Sequence, residues 1–341
     1  MDNWVLKILA CPRDTSALTE NNGLLICESG HKYHLIDGIP IMLLDDVKQT
    51  HPISLKSLSE AKALRVNENV NNFSREDINY IDPYVQEMIA GTNGIMWKPI
   101  IGKLKHYPIP RIPLNDCTGK EKLLLDIGCG WGRWSISSAK KGYIPVGIDP
   151  SLDAIKAAIR VSKQLGYRAY FLVADARYLP FGNNLFDTAF SFSVIQHFDK
   201  KDATICVKQI ARVLKKLSVS YIQMPNVYGF RNFIHQLKRL FKEPRDFEVR
   251  YWTLSELKNL FQMTIGYTEL FADSYLNLNP DIGNIDFLPY NYRFVIYFSE
   301  FLKKINKIMP GLINCADSIY VRSINEKVDS LQQEVTQVKL G

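Results

Sequence analysis

The feature that most constrains the fold is a loop of acid and glycines following a run of aliphatic residues: Leu123-Leu-Leu-Asp126-Ile-Gly128-Cys129-Gly130-Trp-Gly132-Arg-Trp. The run from Lys122 to Ile127 reads as a strand buried on both faces, and Ser135–Lys140 begins a helical pattern. Glycines at such a junction let the backbone turn sharply and approach a ligand closely. The first turn of the helix adds N–H groups that have no partner inside it. Two alternatives are disfavoured. A dinucleotide fingerprint counted from Gly128 needs glycine where Arg133 stands, and no Gly-Lys-Ser/Thr phosphate loop is present.

Further apolar runs at Ile144–Ile148, Ala169–Val173 and Phe186–Phe192 are separated by helix-patterned segments. Buried runs alternating with helices predict a parallel sheet in an α/β fold, which binds its ligand at the carboxyl ends of the strands. Acids stand where two of those ends fall, at Asp149 and Asp175, and Asp149 lies 21 residues beyond Gly128. That step matches the roughly 20 residues that bring an acid to a ribose.

This D-x-G-x-G-x-G pattern resembles motif I of class I S-adenosylmethionine-dependent methyltransferases, and the resemblance continues in order over about residues 120–225. Val146-Gly-Ile-Asp149-Pro150-Ser resembles the end of the family's second strand, whose acid binds the ribose hydroxyls. Val173-Ala-Asp175-Ala176 resembles the end of the third, where an Asp and the next backbone N–H read the adenine. Phe186–Phe198, with Ser193, Gln196 and His197, resembles the fourth motif, where the methionine part meets the acceptor. The resemblance thus implies an S-adenosyl-L-methionine site made by Asp126, Gly128, Cys129, Gly130, Gly132, Asp149, Pro150, Asp175, Ala176, Ser193 and Gln196. Asp126 either lies near the methionine amino group or caps the loop. The family's Pro-Gly-Gly turn before strand five is replaced by Lys215-Lys-Leu-Ser218.

The implied fold is α/β and Rossmann-like, a doubly wound, mostly parallel sheet with a small amino-terminal β domain and helical lid segments. The implied reaction is in-line methyl transfer to an O or N nucleophile, which asks mainly for alignment and exclusion of water. His197 is the candidate base; the alternative is that it closes the loop or packs on the cofactor. Tyr84, Asn93, Trp97, Tyr228 and Trp252 are further acceptor-side candidates.

At the amino terminus, Cys11-Pro-Arg-Asp14 and Cys27-Glu-Ser-Gly-His31 place four candidate ligands on two turns, the spacing of a structural zinc site. The flanking Leu6–Pro12 and Tyr33–Met42 resemble the zinc-ribbon-like Trm112 family, in which Cys is commoner than an acid at the position of Asp14. The alternative is a ribbon that folds on its apolar residues alone. A unit of about 45 residues has little core, so it needs a metal or docking onto a larger body.

Composition shifts divide the chain into 1–46 (ribbon), 47–118 (helical lid ending in the stiff Tyr107–Pro113 segment), 119–323 (cofactor core with an insertion around 226–250) and 324–341 (helical tail). Net charge is +7, unevenly spread: the ribbon has three basic and seven acidic groups, so the remainder carries +11. Phe230–Lys242 reads as an amphipathic helix whose basic side could meet phosphates or anionic lipid, or be merely solvated. The fourth motif lacks the Asn/Asp-Pro-Pro-Tyr signature of nucleic-acid amino-methyltransferases. The expected acceptor is therefore a small molecule, with RNA as the second reading and a non-catalytic adaptor as the third. No membrane-spanning run or signal peptide is seen, so a cytoplasmic monomer or homodimer is expected, with at most weak contact to a membrane surface.

Overall fold

The computed structural model describes residues 3–63, 80–114, 119–276 and 282–326. Strands β5 (Leu123–Ile127), β6 (Ile144–Asp149), β7 (Tyr170–Val173), β8 (Phe186–Ser191) and β9 (Leu214–Pro225) form a parallel sheet in the order β7-β6-β5-β8-β9. They are connected through α4 (Arg133–Ala139), α5 (Leu152–Gln164) and α6 (Lys200–Val213). The order reverses at β5, which pairs with β6 on one side and β8 on the other, so a crevice opens at the ends of those three strands. Leu124, Leu125 and Ile127 of β5 are fully buried, as expected of a strand covered on both faces.

The connecting helices follow their sequence signals. The Ser151 hydroxyl accepts from Ala154 N–H at the start of α5, and Asp199 accepts from Asp202 N–H at the start of α6. Both turn their apolar stripes inward, with Ile155, Ala158 and Val161 of α5 and Val207 and Ile210 of α6 fully buried. Beyond β9 come α7 (Phe230–Lys238), α8 (Leu254–Thr264), β10 (Thr268–Ser274), α9 (Tyr290–Ile308) and β11 (Ser318–Ile324). Strand β11 inserts antiparallel between β9 and β10. The capping box at Thr253 and Glu256 forms as its spacing predicts, with Thr253 N–H donating to Glu256 Oε2 at 2.9 Å.

The amino-terminal segment folds as α1 (Asn3–Ile8) followed by the antiparallel strands β1 (Leu18–Asn21), β2 (Leu24–Cys27), β3 (Lys32–Ile36) and β4 (Ile39–Ile41). The helix is a difference from the strands and turns expected there. The sheet does not stop at the composition boundary near residue 46. Ile41 of β4 pairs in parallel with Val173 of β7, and Met42 N–H donates to the Val173 carbonyl at 2.7 Å. Val5, Leu9, Leu25 and Met42 share one core with Leu172, Ala174 and Phe181. Docking thus supplies the core that a unit of this size lacks alone. The described strands form one mixed sheet, parallel in its centre and antiparallel at both flanks.

Ahead of the core lie α2 (Pro52–Ala63) and α3 (Pro83–Asn93); of the predicted helical tail 324–341, Ile324 instead ends β11, paired with Val219, and 327–341 lie outside the described residues. Helix α7 departs from expectation in two ways. It ends at Lys238, because Leu240 and Phe241 take left-handed backbone angles, each with φ of 54°. Its apolar side is not buried: within the helix only Asn232 is.

Candidate functional site: the crevice at the ends of the central strands

The glycine loop joins β5 to α4 with left-handed backbone at Gly128, Gly130 and Gly132. At Gly128 a Cβ would lie 2.1 Å from Val194 Cγ2, so glycine is required both by φ and by contact with the segment after β8. At Gly130 a Cβ would meet nothing nearer than Thr92 Cγ2 at 3.9 Å. The middle of the loop therefore offers bare backbone toward the crevice. The N–H groups of Gly128 and Cys129 are bonded to the Ile148 carbonyl, which pins the loop to the end of β6.

Two carboxylates frame the loop. Asp149 Oδ2 accepts from Gly130 N–H at 3.0 Å, and its Oδ1 accepts from Ser151 N–H at 2.9 Å. Burial pushes its carboxyl up to about 6 in spite of those bonds. Asp126 Oδ2 accepts from the Ser135 hydroxyl at 2.6 Å, and burial pushes its carboxyl up to about 7. Each carboxylate oxygen has a second lone pair, so Asp149 has capacity left for a pair of hydroxyls. That pair of acceptor oxygens, beside the bare backbone of Gly130, fits the nucleoside part of S-adenosylmethionine. Pro150 follows at the end of β6, where its carbonyl accepts from the Ser57 hydroxyl of α2 at 2.8 Å. Cys129 is buried behind the loop, and burial raises its thiol well above the ordinary value.

Asp175 occupies the end of β7 as predicted, but it is already engaged. Arg177 donates to it from its backbone N (2.8 Å) and its guanidinium (2.7 Å from Nη2). The same guanidinium reaches Asp202 and the Lys48 carbonyl. Ala176 is buried between the two partners. On the acceptor side, Ser193 has φ of 60°, and its N–H and hydroxyl both donate to Gln223 Oε1, at 2.8 and 2.9 Å.

His197 lies under Phe247, the rings stacked with centroids 3.8 Å apart. Its Nδ1 is 2.7 Å from the Phe247 carbonyl, and its Nε2 is 3.4 Å from Gln196 Nε2. A neutral ring with the proton on Nδ1 satisfies both contacts. Burial lowers its pKa to about 4. Of the other acceptor-side candidates, Tyr84 is half-buried, its hydroxyl pushed up to about 12 by burial with Asp149 adding to the rise. Asn93, Trp97 and Trp252 are buried, and Tyr228 is exposed.

Arg177, Gln223 and Arg133 were not singled out from the sequence. The Arg133 guanidinium is buried and stands 5.5 Å from the ring centroids of both Trp134 and Phe192; burial lowers its pKa to about 10. Its place directly after Gly132 was the one available signal.

Cys11, Asp14, Cys27 and His31 converge, their candidate ligand atoms all within 4.8 Å of one another. His31 Nδ1 is 3.5 Å from Cys11 Sγ, 3.3 Å from Cys27 Sγ and 3.3 Å from Asp14 Oδ2. A tetrahedron with arms of about 2.0–2.3 Å, the zinc bond lengths for O, N and S, has edges of about 3.3–3.8 Å. The donor set fits zinc, and the three separations to His31 match those edges. Tyr33 hydroxyl lies 3.1 Å from Cys11 Sγ, a contact to the ligand from outside the cluster.

Residues 124–217 match the family model described as a methyltransferase domain, so fold and glycine loop together define a domain of that class. A shorter stretch of the chain belongs to the UPF0434 family: a UPF0434 protein from Anaplasma phagocytophilum is 39% identical over 66 residues, 18% of this chain and 93% of that protein. Over the methyltransferase region, norajmaline N-methyltransferase of Rauvolfia serpentina is 30% identical, covering 37% of this chain and 43% of its own. Ubiquinone biosynthesis O-methyltransferase of Pelagibacter ubique is 29% identical, covering 34% and 47%. The chain thus spans less than half the length of these two methyltransferases.

Proposed function

We propose that the chain is an S-adenosylmethionine-dependent methyltransferase acting on a small-molecule acceptor. The observation that carries this reading is Asp149, half-buried at the end of β6 and fixed to the Gly130 N–H of the open glycine loop. In this reading Asp149 takes the ribose hydroxyls, Gly128–Gly132 pass their backbone along the nucleoside, and Asp126 faces the methionine amino group. When bound, S-adenosylmethionine supplies a methyl group on a sulfonium. Arg177 holds Asp175 rigid, so Asp175 shapes the adenine end and leaves direct reading to the backbone near Ala176. Ser193 and Gln196 border the acceptor side. The curated relatives named for N- and O-methyl transfer support a small acceptor.

His197 is the candidate base, through Nε2, since Nδ1 is committed to the Phe247 carbonyl. A ring with pKa of about 4 is a weak base. The site therefore suits an amine with a free lone pair or a readily ionised hydroxyl, with His197 mainly closing the crevice. The amino-terminal cluster would hold one structural zinc through Cys11, Asp14, Cys27 and His31, fastening the turns that carry β1 and β2.

Calorimetric titration with S-adenosylmethionine tests the reading: micromolar binding that is lost in Asp149→Ala is expected, and no heat with the folded chain overturns it. Labelled methyl transferred to cell extract should appear in the small-molecule fraction, whereas label confined to RNA overturns the acceptor assignment. Elemental analysis should find about one zinc per chain, as a four-ligand structural site requires.

A further inference from the structure

Helices α7 and α9 present their apolar faces outward. On α7, Phe233, Ile234 and Leu237 are exposed, and just beyond its end Leu240, 75% exposed, and Phe241 are exposed as well. On α9, Tyr290, Phe294, Tyr297, Phe301 and Ile308 recur at three-, four- and seven-residue steps along one exposed side, and Phe294 is 72% exposed. These are not isolated surface apolar residues but two stripes on amphipathic helices, one of nine residues and one of nineteen.

The two stripes arise from one place in the fold. The Phe230 ring, at the start of α7, lies 6.5 Å from that of Tyr275, just after β10. Tyr275 N–H donates to the Ser299 hydroxyl in the middle of α9 at 2.9 Å. Asp317 fixes the other side of the junction, one carboxylate oxygen accepting from Arg231 and Asn232 N–H and the other from Leu276 N–H.

Each stripe has a basic border. On α7, Arg231 and Lys238 fall to one side of the apolar positions, with Lys242 just beyond the helix end; on α9, Lys304 and Lys307 fall to one side. None of these five makes an ion pair among the described residues, whereas the nearby Arg239, Arg293 and Lys303 do. Apolar side chains rich in Phe, Tyr and Leu, bordered by unpaired cations, are the composition of a helix that lies in a membrane interface.

We infer that α7 and α9 form a docking surface for an anionic lipid bilayer, lying in its headgroup region without crossing it. No described helix is long and apolar enough to cross a membrane. Two other partners fit less well. A two-fold pairing of this face with a second copy brings like unpaired cations together across the symmetry axis. RNA would meet the cations and the rings, but has no use for the aliphatic Ile234, Leu237, Leu240 and Ile308 between them.

The test is co-sedimentation of the full chain with vesicles of phosphatidylcholine alone and with phosphatidylglycerol as a major component. Binding is expected to the anionic vesicles only, and to fall sharply at about 1 M salt, where the screening length shrinks to about 3 Å. Lys238→Gln and Lys304→Gln should each weaken it about five-fold. Leu240→Ser and Phe294→Ser should each weaken it about ten-fold or more, with an unchanged circular dichroism spectrum. Failure to pellet with anionic vesicles overturns the inference, as does binding unaffected by the two serine substitutions. So does a dimer that these substitutions disperse while vesicles stay unbound, or retention on polyuridylate with the vesicles left free. S-adenosylmethionine binding is read separately, so the inference can fail while the methyl-transfer reading stands.

Discussion

Helices α6 and α9 carry the same kind of sequence pattern and use it in opposite ways. In α6 the apolar positions Ala203, Val207 and Ile210 face the sheet and are completely buried. In α9 the stripe from Tyr290 to Ile308 faces out, and the helix is held by Ile296 and Ser299 on its other side. A 3.6-residue period shows that a helix has two faces; it does not show which one meets the protein. That is decided by what stands opposite. Helix α6 crosses between two parallel strands of the same sheet and must lie against it. Helix α9 follows an excursion beyond β10 and is under no such obligation.

Four measurements can break or sharpen this contrast. The largest effect is expected where buried charge is involved. Arg177→Ala leaves Asp175 and Asp202 without their shared guanidinium, and should cost about 3–5 kcal/mol in urea unfolding. Ile210→Ala in α6 should follow at about 2–5 kcal/mol, the cost of a cavity in a packed core.

Third is a pH effect confined to the crevice. Asp126 and Asp149 have carboxyls raised by burial, so their contribution to ligand-free stability is fully present below about pH 4 and is lost as pH rises through about 6 and 7. His197 acts in the other sense: its lowered pKa gives stability present above its ordinary value of 6.5 and lost as pH falls toward about 4. Between pH 6.5 and 8 the carboxylates dominate. The melting temperature of the ligand-free chain should therefore fall over that range, while, under the proposed binding mode, the rise on adding S-adenosylmethionine grows as ionised carboxylates accept from its hydroxyls and ammonium. Asp126→Asn should flatten both trends. The smallest effect is expected on the outward face, where Phe294→Ser should change stability by no more than about 0.5 kcal/mol. A loss comparable to that of Ile210→Ala would show that the α9 stripe is internal after all.

The same contrast separates what was legible in the sequence from what was not. Strands β5 to β8, the glycine turns and the acid at the end of β6 were readable because each is set by its own few residues: a continuous aliphatic run, a turn that only glycine tolerates, a fixed step to Asp149. The convergence of Cys11, Asp14, Cys27 and His31 was readable from turn spacing alone. Pairings between distant segments were not. Nothing in Tyr33–Met42 indicates that Ile41 will sit beside Val173, and one chain offers no covariation to reveal it. The engagement of Asp175 by Arg177 depends on the turn that brings Tyr178 N–H to the Asp175 carbonyl at 3.0 Å, a geometry that spacing does not specify. His197 was readable as a position but not as a chemical state, because its low pKa comes from burial, which wins over the opposing bond to the Phe247 carbonyl fifty residues away.

The pairing of β4 with β7 has one further consequence. Without the amino-terminal strands the sheet would end at Tyr170–Val173, an apolar strand buried along most of its length. A bare edge of that kind is a template on which other chains can add. The amino-terminal strands move the edge outward to β1, four residues long and exposed at Thr19, Glu20 and Asn21. Short, polar and carrying an acid, β1 is a poor template. The ribbon is thus a guard against aggregation as well as an extension of the sheet, and a chain that loses it should be lost from solution before it is lost to catalysis.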